Sequence, residues 1–92
     1  MIVVGKQRLE DFKSKHQDAC SHVDSWWEEV EDANWQTPQA IKQRYSSASF
    51  LKDNQIVFNI RGNRYRLKVK INYEQGIVLI INIGTHQEYN KW

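Results

Sequence analysis

The sequence predicts an α+β domain, a small fold in which N-terminal helices pack on one face of a mainly antiparallel sheet, and three observations predict it. From Gln55 to Trp92, runs of β-branched and aromatic residues are broken by two Gly-containing turns, Arg61-Gly62-Asn63 and Glu74-Gln75-Gly76, the pattern of consecutive hairpins. Between those turns the alternation is clean. Tyr65, Leu67, Val69, Ile71 and Tyr73 fall on one face and Arg64, Arg66, Lys68 and Lys70 on the other, because successive side chains of a strand point to opposite sides. The first half of the chain has apolar residues at helical spacing, and it is the only part able to cover the apolar face of the strands.

Taken in order, Ile2-Val3-Val4 reads as a short strand that joins the later sheet, ended by Gly5. A helix is expected from Lys6 to about Gln17, with Leu9, Phe12 and His16 on its apolar side, and a second from about Asp18 to Asn34, carried by Ala19, Val23, Trp26, Trp27, Val30 and Ala33. Trp26 and Trp27 lie about 100° apart on such a helix, so both border one apolar stripe; core packing is the expected role, with stacking on bases the alternative. Glu28, Glu29, Glu31 and Asp32 form a solvated acidic face. Thr37 reads as an N-cap and Pro38 as the first residue of a third helix, 38–44, since a first-turn proline gives up no hydrogen bond. Ser46 to Ser49 is a polar connector, Phe50 and Leu51 an apolar anchor, and Asp53-Asn54 the turn into the three C-terminal strands.

At 92 residues the chain is one domain, residues 1–92, with a single modest core. The net charge of +2 conceals a split: residues 1–54 hold seven Lys or Arg against nine Asp or Glu, whereas residues 55–92 hold six against two. A basic sheet beside an acidic helical part is the footprint of a polyanionic partner, although a solvated sheet face carries cations in many proteins. No apolar run is long enough to span a bilayer, and the start lacks a signal-peptide core, so a cytoplasmic protein without membrane contact is expected. Cys20, alone, forms no internal disulfide. His16 and Cys20 share a helix face at i, i+4, but His22 sits off it and no paired Cys or His-Glu-x-x-His pattern follows, so neither a metal site nor a cofactor is expected.

Ser47-Ala48-Ser49-Phe50, Val57-Phe58-Asn59-Ile60, Gly62-Asn63-Arg64-Tyr65-Arg66-Leu67, Lys70-Ile71-Asn72-Tyr73 and Gly84-Thr85-His86-Gln87-Glu88-Tyr89 together resemble the HigB family of type II toxins, within the RelE-like group of mRNA interferases. The resemblance covers almost the whole length, including Trp35 ahead of the Thr37-Pro38 helix start. It implies a ribosome-associated endoribonuclease that cleaves mRNA and is inhibited by a cognate antitoxin, of helix-turn-helix type, so that DNA is met only through the antitoxin. Carried over by position, the family's functional residues fall on Arg66, His86 and Tyr89, with Lys68 a weaker match. Relatives commonly have Asp where this chain has Asn90 and Arg where it has Ile81.

RNA supplies its own nucleophile, the 2′-hydroxyl, so metal-independent cleavage needs proton transfer and positive charge beside the phosphate. His86 suits the first because its ordinary pKa lies near neutrality, and Arg66 the second because guanidinium offers phosphate a fork of donors. Tyr89, three residues past His86, can orient a base or contribute a proton. Glu88 is a further candidate base whose direction depends on whether the tail is extended or helical. Arg64, Lys68, Lys70 and Lys91 are the expected RNA contacts, and Trp27 an anchor for the antitoxin. A catalytically weak or inactive RNA- or protein-binding module on the same fold is the alternative; it needs only the basic sheet and a partner groove.

Overall fold

In the computed structural model, which describes residues 1–92, the elements run β1 (Ile2–Val4), α1 (Lys6–Lys15), a 3₁₀ turn (Gln17–Ala19), α2 (Cys20–Asp32), α3 (Pro38–Arg44), β2 (Ser49–Phe50), β3 (Gln55–Ile60), β4 (Tyr65–Asn72), β5 (Ile77–Thr85) and α4 (His86–Tyr89). The five strands form one mixed sheet in the order β1-β5-β4-β3-β2, with β1 parallel to β5 and every other pair antiparallel. The α+β class expected from the sequence is the class observed.

The alternation in β4 sets the two faces. Tyr65, Leu67, Val69 and Ile71 are buried beneath the helices, whereas Arg66 and Lys68 are half-buried on the opposite face and Lys70 is exposed. Each of Leu67, Val69 and Ile71 contributes about 1.5–3 kcal/mol by leaving water. Register carries the same division to the neighbours: Phe58 pairs with Leu67 on the core side, and Asn59 with Arg66 on the open side. In β5 the register breaks opposite Lys68 and Val69, which pair with Asn82 and Ile80, so Ile81 is the extra residue of a bulge.

The helices bring Leu9, Phe12, Val23, Trp26, Val30 and Ile41 into the core. Phe58 is the centre of its aromatic part, with ring centroids 5.1 Å from Tyr45, 5.5 Å from Trp26 and 6.2 Å from Trp35. Thr37 caps α3 as expected, its hydroxyl accepting from the Ala40 N–H at 3.3 Å. Gly5 takes φ 103°, and a Cβ there would sit 3.0 Å from that of Ile80, so β1 can turn into α1 only through glycine. The Met1 ammonium donates to the carbonyls of Val30, Glu31 and Ala33 around the C-terminal end of α2, where the helix dipole favours a cation.

Three local expectations are corrected. The first helix ends at Lys15, because His16 takes non-helical angles and stacks on Phe12 at 4.5 Å; the face shared by His16 and Cys20 does not form. Phe50 and Leu51 are 38% and 39% exposed and anchor nothing, while Ser49 and Phe50 add an edge strand to β3 and small Ala48 takes the buried place. Arg64 leaves the row of cations: it lies in the β3–β4 turn, and its guanidinium approaches the Asp18 carboxylate at 3.5 Å on the helical side. Trp27 is half-buried against the core, with the Lys6 ammonium 5.3 Å over its ring.

Candidate functional site

The open face of the sheet meets α4 at the end of β4 and β5. Thr85 and Glu88 close a capping box there: the Glu88 N–H donates to the Thr85 hydroxyl at 3.1 Å and the Thr85 N–H to Glu88 Oε1 at 2.8 Å. Those bonds, the backbone contact first, hold the Glu88 carboxyl below its ordinary pKa. Glu88 is therefore committed to the helix start. Gly84 makes the close fit possible, since a Cβ on it would lie 3.0 Å from Glu88 Oε1. The His86 N–H donates to the Arg64 carbonyl at 3.2 Å and ties the helix to the turn that leads into β4.

With the tail helical, His86 and Tyr89 stand at i and i+3 and face the same neighbour. That neighbour is Arg66. Its Nε and Nη2 lie 3.3 and 3.0 Å from His86 Nδ1, its Nη1 donates to Asn59 Oδ1, and its Cζ lies 5.4 Å from the centre of the Tyr89 ring. Trp92 meets the Tyr89 ring edge-on at 5.3 Å. A guanidinium has only donors, so Nδ1 of His86 is the acceptor and the proton of the neutral ring is assigned to Nε2. The cluster thus presents one fixed cation, one imidazole N–H and one phenol at an exposed surface.

The remaining sequence-predicted residues divide. Lys68 and Lys70 continue the open face of β4 beyond Arg66, and Lys91 lies exposed just past α4; none of these three belongs to an ion pair. Arg64 instead joins Arg61 at Asp18, whose carboxylate also accepts from the Tyr65 hydroxyl at 2.8 Å on each oxygen. The tyrosine bond, with the two arginines, holds Asp18 below the ordinary aspartate pKa, and the same bond raises Tyr65. Asn59 and Trp92 were not singled out from the sequence, although counting back across the Arg61–Arg64 turn puts Asn59 opposite Arg66. No three His, Cys, Asp or Glu side chains come together in the geometry of a metal site. No helix is long and apolar enough to cross a membrane.

Comparison with curated proteins gives no match. Residues 19–92 match the family model HigB_toxin, described as the RelE-like toxic component of a toxin-antitoxin system. Because that match takes in α2 to α4, four of the five strands and the whole Arg66–His86–Tyr89 cluster, the chain belongs to the HigB_toxin family of RelE-like toxins.

Proposed function

We propose that this toxin is a ribosome-associated endoribonuclease that cleaves mRNA in the cytoplasm without a metal ion and is inhibited by a cognate antitoxin. The observation that carries the reading is the convergence of Arg66, His86 and Tyr89, three residues from two elements, on one exposed surface bordered by Lys68 and Lys70. Each has a separate part. The scissile phosphate competes with His86 for the Arg66 guanidinium, and the fork of donors then offsets the charge that builds on its oxygens. As the guanidinium turns to phosphate, Nδ1 of His86 is released and the imidazole is free to move a proton. The 2′-oxygen loses its proton and attacks phosphorus, the bond to the 5′-oxygen breaks, and that oxygen takes up a proton; the products are a 2′,3′-cyclic phosphate and a 5′-hydroxyl. Tyr89 stacks on a base beside the cleaved bond or supplies a proton. Lys68 and Lys70 hold the flanking backbone.

The test is single-turnover cleavage on programmed ribosomes with EDTA present. Replacing His86 by Ala is expected to slow the chemical step by about 10²–10⁴-fold, the usual worth of a positioned acid or base. Full activity of that variant, or loss of wild-type activity to EDTA while the ribosomes stay intact, overturns the mechanism. RNA binding without cleavage by the wild type favours the non-catalytic module.

A further inference from the structure

The open face of the sheet has two chemically different ends. Toward β3 it carries Asn59, Arg66 and Lys68; toward β1 it is aliphatic. Pairing fixes the second group: Ile2 lies beside Ile77 and Val4 beside Leu79, and across β4 the same face continues as Asn72 beside Ile77 and Lys70 beside Leu79. Ile2 is 64% exposed, Val4 44% and Leu79 42%, while the intervening Val3 and Val78 turn inward to the core. A shallow depression of about 490 Å³, lined by Lys70, Tyr73, Ile77 and Leu79 among others, continues the patch. β1 is the edge of the sheet, with no strand beyond it.

We propose that this aliphatic end is where the antitoxin docks, through an extended segment that sets apolar side chains on Ile2, Val4 and Leu79 and carries acidic residues onward over Lys70 and Lys68 to Arg66. The inference rests on the toxin reading and adds the place and chemistry of inhibition. Contiguous aliphatic side chains left in water mark a contact surface. The neighbouring cations select acidic residues for the rest of the segment. Lys70 and Arg66 are four residues apart on β4, about 13 Å at the rise of a strand, so a segment of four or five extended residues anchored at Leu79 reaches the cluster and covers it. Anchoring and occlusion then become a single event. A second copy of this chain fits less well, because self-association through the patch brings the cations beside Leu79 toward one another. RNA fits less well because aliphatic side chains give bases no ring on which to stack.

The test uses the full chain and the protein encoded by the reading frame adjoining its gene, with binding followed by calorimetry and RNA cleavage by single turnover. Ile2→Glu and Leu79→Ser are expected to raise Kd by about 10²-fold, as truncation of a central apolar anchor does, while the cleavage rate and the Tm stay at wild-type values. Ile2→Glu places its charge at the most exposed position of the patch, and Leu79→Ser adds no charge, so the pair separates docking from folding. Wild-type affinity in both folded variants overturns the inference, as does a wild type that does not bind the adjoining product or a self-association that Leu79→Ser abolishes. A wild type whose binding depends on the patch but which cleaves no RNA overturns the catalytic reading and leaves the docking surface standing.

Discussion

Replacing Glu88 by Gln and by Ala separates two roles that its position allows, helix cap and general base. Its Oε1 accepts the Thr85 N–H at 2.8 Å, a bond that a glutamine oxygen can keep and alanine cannot. A charge-assisted bond of this kind is about twice as strong as a neutral one, so Glu88→Gln weakens the cap without abolishing it. Losing one side of a capping box costs about 1 kcal/mol, and 1.4 kcal/mol corresponds to a factor of about ten in the docked population of α4. Glu88→Ala is therefore expected to lower single-turnover cleavage by at most about tenfold, with Glu88→Gln closer to wild type. A general base lost to either substitution costs about 10²–10⁴-fold, and Gln would do as much damage as Ala. The pH dependence has a fixed sign. A carboxyl whose pKa is lowered by folding gives its full stabilisation above the ordinary glutamate value and loses it as pH falls through the lower, folded value. Protection of the Thr85 amide from hydrogen exchange, which the carboxylate accepts, tracks that curve in the wild type and is flat in Glu88→Gln. A Glu88→Gln enzyme slowed by 10²-fold or more refutes the capping argument.

Arg66→Ala is expected to slow cleavage by about 10²-fold or more under single turnover, and Arg66→Lys to recover only part of it, because a point charge cannot serve Asn59, His86 and phosphate with one fork. Lys70→Ala is expected to weaken RNA binding modestly and to lower the slope of log K against log salt by about 1, measured by fluorescence titration, with the rate of the bound complex unchanged. Asp18→Asn is expected to lower the Tm at neutral pH, since Asp18 accepts from Tyr65 and pairs with Arg61. Its pKa is lowered in the folded state, so the wild-type advantage is complete above about pH 4 and disappears as pH falls below it; a Tm difference that grows on acidification contradicts the assignment.

The parts of the fold that were legible are those in which one physical signal repeats along the chain. Five alternating apolar positions in and just after β4 override any local ambiguity, and once their face is fixed the pairing of β3 and β5 is set by the turns. Thr37-Pro38 was legible because cap and first-turn proline agree. What escaped notice depends on contacts distant in sequence. The end of α1 is set by His16 packing on Phe12 and Tyr65, 5.1 Å from the latter ring, and helical periodicity does not reveal that competition. β2 is two residues, Ser49 and Phe50, too short to show any alternation, and it pairs only with β3. Arg64 keeps strand parity in the sequence, yet Asp18, 46 residues away, draws it to the other side. The spacing Thr85-x-x-Glu88 does carry the signature of a helix start, but four residues with no apolar repeat behind it could equally continue the strand. The meeting of His86 and Tyr89 at Arg66 turns on that one choice, because an extended tail would point residues three apart in opposite directions.

The cluster joins two kinds of support, and this bears on which lesions separate binding from chemistry. Arg66, Lys68 and Lys70 stand on a central strand, bonded on both sides, whose register is pinned by a buried apolar face. His86 and Tyr89 stand on four helical residues, far below the length at which a helix is stable by itself. Their position derives from the Thr85–Glu88 box, the bond from His86 N–H to the Arg64 carbonyl, and the close approach that Gly84 permits. On the proposed reading, loss of Lys68 or Lys70 removes phosphate contacts and is felt in affinity, whereas loss of Arg66 is felt in the chemical step. A Cβ at Gly84 leaves the cationic row in place and shifts His86 and Tyr89, where a displacement of 1 Å is worth about 10²-fold in rate, whereas loss of the box lowers the docked population of α4 by at most about tenfold. On that reading the basic face holds RNA whether or not α4 is docked, while proton transfer requires α4 docked.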